Sequence, residues 1–106
     1  MANVVTERRR SVRSPAAYPV AVYDRRGKAL ARGRTANISE SGVVAIVSLR
    51  QPLAIDARVI LELSIPSASA LKRREARIVA YLCRVARRQS VGHLTALGVE
   101  FVEKLS

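Results

Sequence analysis

Arginine is concentrated near the start of the chain, where "TERRRSVRS" carries Arg8, Arg9, Arg10 and Arg13. Guanidinium groups donate bidentate hydrogen bonds to phosphate oxygens and to guanine O6 and N7, and they stack on purine faces. Arg9 and Arg13 are four residues apart, so their side chains share one face of a helical turn or of an extended chain. The cluster therefore has the chemistry to bind a phosphate-bearing ligand.

The spacing of these arginines does not identify a site by itself. With 16 arginines among 106 residues, about 2.3 R-x-x-x-R pairs are expected by chance. The chain contains three such pairs: Arg9/Arg13, Arg73/Arg77 and Arg84/Arg88. A second feature is needed to single out one of them.

That second feature is the stretch "TANISESGV", which places Asn37, Ser39 and Gly42 just before a run of apolar residues. Asn and Ser side chains donate and accept hydrogen bonds close to the backbone, and Gly42 permits a positive φ or the close approach of a ligand. Taken alone, an ordinary Asx-type turn explains this stretch better than a ligand site.

Period-two alternation and β-branched runs predict six strands, a pattern typical of an antiparallel barrel or sandwich. The predicted strands are Tyr18–Tyr23, Lys28–Ala36, Gly42–Ser48, Arg58–Pro66, Ala76–Arg84 and Thr95–Val102. Asp24–Gly27 is predicted to be a hairpin turn in which Gly27 takes a positive φ. Two basic stretches are left between strands: Ala68–Ala76 is a helical turn or a loop, and Ala86–His93 is a loop.

The hairpin prediction brings the two polar stretches together. If the chain turns near Arg26, antiparallel pairing places residues 14–16 roughly opposite Asn37. The arginine segment would then meet the Asn/Ser/Gly turn at one end of the barrel. We therefore interpret the two weak motifs as one composite site.

Composition limits the class of protein. A chain of 106 residues supports one domain, and its formal charge of +11 favours anionic partners such as nucleic acid, nucleotides or an acidic membrane surface. The single cysteine, Cys83, excludes an intrachain disulfide and fits a reducing compartment. No apolar run is long enough to span a membrane, and "MANVVTERRR" has no apolar segment typical of a secretory signal, so we expect a cytoplasmic protein.

Enzymatic activity is not expected, and neither catalytic nor metal-binding residues are predicted. The one histidine, His93, has no Cys or carboxylate at a triad or metal-site spacing, and no Walker-type or G-x-S-x-G motif occurs. We interpret His93 as a surface loop residue and Cys83 as a strand residue. Direct nucleic-acid binding remains an alternative because of the charge, although aromatic residues are only 4% of the chain and no exposed stacking stripe is visible.

The two motifs in this order resemble the PilZ domain, a bacterial receptor module for cyclic di-GMP. "RRSVR" (Arg9–Arg13) matches the family's R-x-x-x-R, and Asn37, Ser39 and Gly42 match its [D/N]-x-S-x-x-G. The similarity continues through "GVVAIV", "ARVILELSIP" and "LGVEFVE", so it covers nearly the whole chain. The resemblance implies an all-β fold, a six-stranded antiparallel barrel preceded by a flexible arginine-rich segment. Residues 1–7 are then a flexible tail and residues 8–106 the domain.

The resemblance also implies roles for single residues. Arg9 and Arg13 would bind the phosphates and guanine faces of cyclic di-GMP, Asn37 and Ser39 would make polar contacts, and Gly42 would keep the backbone close. An arginine just before the motif is associated with two stacked ligand molecules per domain, which here is Arg8, and Arg10 is expected to assist. No cofactor is implied. Family members often end in a helix, whereas here only four residues follow Val102, and we expect the domain to act through a separate effector protein. A PilZ-like adaptor that binds no ligand is the remaining alternative.

Overall fold

Six antiparallel strands build the described part of the chain. The computed structural model describes residues 17–66 and 76–106. The strands are β1 (Pro19–Tyr23), β2 (Ala29–Ile38), β3 (Gly42–Leu49), β4 (Arg58–Pro66), β5 (Ala76–Val91) and β6 (Leu94–Lys104). They form a closed barrel in the order β1-β2-β3-β6-β5-β4, in which every neighbouring pair is antiparallel. The predicted all-β class and the six-stranded barrel are thus confirmed.

The barrel core follows the alternation of each strand, since successive side chains of a strand point to opposite faces. On β4, Val59, Leu61 and Leu63 are buried and Ile65 packs against them, as their period-two spacing predicts. Leu97 and Val99 of β6 are buried in the same way. The core is aliphatic and is made of Val20, Val22, Ala31, Val43, Ala45, Val47, Val59, Leu61, Leu63, Cys83, Val85, Leu97 and Val99.

The remaining aromatic and sulfur side chains near the core have the expected strand positions. Phe101 is partly buried and stacks on Tyr81 of the neighbouring strand, with ring centroids 4.0 Å apart and planes at 17°. Cys83 is fully buried, and burial raises the pKa of its thiol to about 12. His93 lies exposed in the turn between β5 and β6, as predicted. These residues contribute to packing or to the surface.

The β1–β2 hairpin has the predicted turn. The Gly27 amide donates to the Asp24 carbonyl at 3.0 Å, and Gly27 has a φ of 93°. The strands then pair with Pro19 opposite Arg34, and the Tyr18 carbonyl accepts from the Thr35 amide at 2.9 Å. The chain therefore enters the barrel beside residues 34 and 35, a few positions before Asn37.

The prediction of a loop at Ala86–His93 is wrong, because β5 continues to Val91 and only residues 92 and 93 form a turn. β4 pairs with β5 no further than Arg58 opposite Arg84, whereas β6 stays paired with β5 until Val91 opposite Leu94. Beyond Arg84, β5 is paired on one side only. Its residues 86–91 are mostly polar, so they show little of the alternation by which strands are recognised. The prediction for Ala68–Ala76 lies almost entirely outside the described residues, and Ala76 begins β5. No helix able to cross a membrane occurs within residues 17–66 and 76–106.

Candidate functional site

A β-bulge in β2 turns Asn37 towards the outside of the barrel. Thr35 pairs with Ala45, but the next pair is Asn37 with Val44, so Ala36 is an extra residue. Directly paired residues point to the same face, and a shift of one residue changes the face of every following side chain. With regular pairing, Ala36 would lie opposite Val44, and Asn37 would share the inward face of Val43. The bulge instead places Asn37 on the outer face.

A second bulge, in β5, does the same for Arg87. Val85 pairs with Val99, but Gly98 then pairs with Arg87, so Ala86 is the extra residue. Regular pairing would have placed Arg87 on the inward face opposite Leu97. Bulges are common beside functional sites because they re-aim a side chain in this way.

The two bulges bring Asn37 and Arg87 into one row across four strands. Asn37 pairs with Val44, Val44 with Gly98, and Gly98 with Arg87. Neighbouring strands are about 4.8 Å apart, so the backbones of Asn37 and Arg87 are separated by roughly 14 Å. Val44 and Gly98 lie between them and have a shorter side chain and none, respectively, so they form a low floor between Asn37 and Arg87.

Two adjoining open cavities of about 480 and 550 Å³ lie over this floor. They share Asn37, Val44, Ala86, Arg87 and Gly98. The first is also lined by Ile38, Ser39, Ser41, Gly42, Val43, Arg84, Val99 and Glu100. Of the predicted site residues, the structure therefore brings Asn37, Ser39 and Gly42 to one surface.

Ser39 and Gly42 close the turn between β2 and β3. The Ser39 amide donates to the Gly42 carbonyl at 2.9 Å, and the Ser39 hydroxyl lies 3.3 Å from that carbonyl and 3.2 Å from the Ser41 hydroxyl. These bonds hold the turn and keep both hydroxyl groups at the cavity. Within the described chain, the Asn37 side chain makes no hydrogen bond, so its amide is available to a ligand.

Gly42 has a packing reason of its own to be glycine. A Cβ atom at this position would lie 2.2 Å from the Val99 carbonyl oxygen of β6, far closer than van der Waals contact. Its φ is not positive, in contrast to those of Gly27 and Gly92. Gly42 thus lets β3 approach β6, and the predicted approach of a ligand to this glycine stays a prediction.

An ion-pair network forms the other wall of the cavity. Arg84 Nη2 donates to Glu100 Oε1 at 2.6 Å, and Arg84 Nη1 donates to the carboxylate of Asp56. The hydrogen bond to Glu100, followed by that to Asp56, raises the pKa of the Arg84 guanidinium. Arg87 differs, since it makes no ion pair with any described residue. The wall therefore holds one paired and one unpaired guanidinium.

Three residues of this surface, Arg84, Arg87 and Glu100, were not predicted from the sequence. In the sequence, Arg84 is only half of one R-x-x-x-R pair, and Arg87 falls within the loop predicted at Ala86–His93. A β-bulge has no reliable sequence signal, so the face of Arg87 could not be read from the alternation. Arg8, Arg9, Arg10 and Arg13 lie outside the described residues. Among the described residues, no three His, Cys, Asp or Glu side chains lie together as a metal site would need.

Comparison with known proteins agrees with the barrel fold. The PilZ domain family model matches residues 7–106, and the chain belongs to this family. No relative was found among curated proteins.

Among the solved structures that resemble the fold are two bacterial proteins. One is the Bacillus subtilis inhibitor of motility MotI/DgrA, with a TM-score of 0.73 and 18% identity over 93% of this chain and 44% of that one. The other is the PilZ domain of YcgR from Escherichia coli with cyclic di-GMP, with a TM-score of 0.59 and 18% identity over 90% of this chain and 78% of that one. The present chain thus spans less than half the length of the motility inhibitor.

Proposed function

We propose that this chain is a cyclic di-GMP receptor that binds the dinucleotide on the outer face of β2, β3, β6 and β5. The observation that carries the proposal is the row in which the Asn37 amide and the Arg87 guanidinium flank the low floor of Val44 and Gly98. An unpaired cation suits a phosphate, and an unpaired amide suits the edge of a base. Membership of the PilZ family and the likeness to the cyclic di-GMP complex of the YcgR domain support the choice of ligand.

The N-terminal arginines complete this site in the proposal. Arg34 Nη1 donates to the Ala17 carbonyl at 3.0 Å, so the described chain begins close to the β2 segment that carries Asn37. Arg13 is four residues before Ala17, so covalent geometry keeps their Cα atoms within about 14 Å of each other. Arg9 and Arg13 would bind phosphates and guanine faces, and Arg10 would assist.

Arg8 is proposed to support a second, intercalated cyclic di-GMP molecule, because guanidinium planes stack on purines. Binding would order the arginine segment against Asn37 and Ser39, and the altered surface would signal to an effector protein in the cytoplasm. Residues 8–106 form the receptor domain in this proposal, and residues 1–7 form a flexible tail. We assign no catalytic step and no cofactor to the chain.

Calorimetric titration of cyclic di-GMP, with GTP as the control ligand, tests the proposal. The wild type should bind saturably, Arg13→Ala should lose most of the affinity, and a stoichiometry near two would support the role of Arg8. Arg26→Ala is the matched control, since Arg26 is exposed in the β1–β2 turn and lines neither cavity. It removes the same charge and should leave affinity unchanged.

Other outcomes would favour the alternatives. If single-stranded DNA bound with an affinity that fell steeply with salt and tolerated each single arginine change, nucleic-acid binding would replace the proposal. A folded wild type that bound neither cyclic di-GMP nor DNA would favour an adaptor without ligand. For the ordering step, NMR spectra in which residues 8–13 were equally rigid with and without cyclic di-GMP would argue against closure.

A further inference from the structure

Glu100 is the one carboxylate among the described residues that line the first cavity. It lies in the outward row next to that of Asn37 and Arg87: Gly42 pairs with Glu100, and Glu100 with Arg84. Gly42 carries no side chain, so β3 supplies no side chain to cover Glu100 in this row. The Glu100 side chain is 57% exposed and faces the space assigned above to a dinucleotide.

A carboxylate in this position is unexpected on electrostatic grounds. Cyclic di-GMP carries two phosphate charges, and a like charge within a few ångströms disfavours binding. Arg84 offsets the charge but occupies only one oxygen, because Nη2 donates to Oε1. No described residue donates a hydrogen bond to Oε2.

The geometry points to Glu100 as the residue that recognises guanine, an inference that rests on the proposed function. An ionised carboxylate only accepts hydrogen bonds, and guanine presents two adjacent donors, N1–H and the N2 amino group. Adenine has an unprotonated N1 and no N2 amino group, so it places an acceptor and a carbon atom where guanine has donors. Glu100 would therefore bind one guanine edge and reject adenine.

The ion-pair network gives this carboxylate a defined direction. Arg84 bridges Glu100 on β6 and Asp56 in the loop before β4. Both terminal nitrogens of Arg84 are thereby engaged, and the guanidinium holds Oε1 in place while Oε2 accepts from no described residue. Base recognition by an edge contact requires such an oriented acceptor.

Titrating cyclic di-GMP and cyclic di-AMP against wild type, Glu100→Gln and Glu103→Gln tests the assignment, because the two ligands share their phosphates and ring and differ only in the base. Glu103 is exposed on β6 and lines neither cavity, so its variant makes the same charge change away from the site. We expect Glu100→Gln to weaken cyclic di-GMP binding about tenfold or more and to leave cyclic di-AMP binding equal or stronger. Glu103→Gln should change neither. Circular dichroism and a Glu100→Ala variant, which should behave like Glu100→Gln, check that the fold is intact.

The alternative role for Glu100 predicts a change of affinity in the opposite direction, so the titrations distinguish the two roles. If Glu100 were only a counterion for Arg84, removing its charge would strengthen the positive field and tighten the binding of both dinucleotides. Unchanged or tighter cyclic di-GMP binding by Glu100→Gln would therefore overturn the assignment and leave the proposed function standing. A wild type without saturable cyclic di-GMP binding would overturn the proposed function itself, and this assignment with it.

Discussion

The β1–β2 turn and the β2–β3 turn are built from similar residues and serve different purposes. In the first, Asp24 Oδ1 accepts from the backbone amides of Arg26 and Lys28, both at 2.9 Å, so its carboxylate is used within the turn. In the second, Ser39 holds its own turn, while the Asn37 amide faces a cavity and has no partner among the described residues. A polar residue followed by glycine thus makes a self-contained turn in one place and the edge of a cavity in the other.

The two glycines differ as well. Gly27 is required for its backbone conformation, since its φ is 93° and nothing lies within 4 Å of the position that a Cβ atom would take. Gly42 has an ordinary φ but no space, because β6 backbone fills the position. Glycine is thus needed for its backbone conformation in the first turn and for close packing in the second.

The largest expected effect is the loss of stability when these glycines are replaced. Gly42→Ala should lower the free energy of unfolding by about 3 kcal/mol or more, because overpacking against backbone cannot be relieved by a side-chain rotation. Gly27→Ala should cost roughly 1 kcal/mol, the usual penalty of a left-handed conformation. Urea unfolding of both variants measures the difference. Equal losses would show that the close contact between β3 and β6 is easily relaxed.

Replacing Asn37 tests whether its side chain binds the ligand or stabilises the turn. Asn37→Ala should weaken cyclic di-GMP binding roughly tenfold and leave the urea midpoint nearly unchanged, because its amide bonds to no described residue. Gln51→Ala is the matched control, since it removes an exposed amide that lines none of the cavities. A large loss of stability in Asn37→Ala would instead give Asn37 the structural role of Asp24.

A smaller effect is expected for Arg87, which the β5 bulge turns towards Gly98. Arg87→Gln should weaken cyclic di-GMP binding about fivefold and reduce its dependence on salt, as loss of one phosphate contact would. Arg32→Gln, which alters an exposed arginine of β2 outside both cavities, should have little effect in the same titrations. If both variants lost affinity equally, the general positive field would account for binding better than a defined contact.

The smallest expected effect is the pH dependence of the first turn. Hydrogen bonds from the turn backbone, led by that of Lys28, lower the pKa of Asp24 from its ordinary value of 3.8. A lowered pKa stabilises the fold fully above the unfolded value, and this contribution is lost as pH falls through the folded value. The stability difference between wild type and Asp24→Asn should therefore shrink when pH falls below about 3.8.

Urea midpoints measured from about pH 2.5 to about pH 7 would show this loss, and Ser39→Ala serves as the comparison. Its hydroxyl does not titrate in this range, so the difference from wild type should stay constant with pH. A difference for Asp24→Asn that was likewise independent of pH would mean that its carboxylate charge adds nothing to the turn.

Much of the fold could be predicted because a barrel core imposes a local rule: every second side chain of a strand points inward and is apolar. Val59, Leu61 and Leu63 recur at every second position, with Glu62 and Ser64 on the opposite face. The Asp24–Gly27 turn has its own chemistry, so neither feature depends on distant contacts. The same rule failed for Ala86–Val91, where β5 has lost β4 as a partner and carries mostly polar side chains. It also could not give the faces of Asn37 and Arg87, because a bulge interrupts the alternation just before each of them.

By itself the sequence determined the number of strands, the core faces of β4 and β6, the first hairpin and the motifs typical of the family. These features follow from side-chain type and short-range spacing. Only the tertiary structure decided that Asn37 and Arg87, fifty residues apart, share one outward row. It also decided that Glu100 lies between Gly42 and Arg84. The physical reason is register: which residues meet across a barrel depends on the pairing of all the strands between them, and a single extra residue in one strand reverses the face that a side chain occupies.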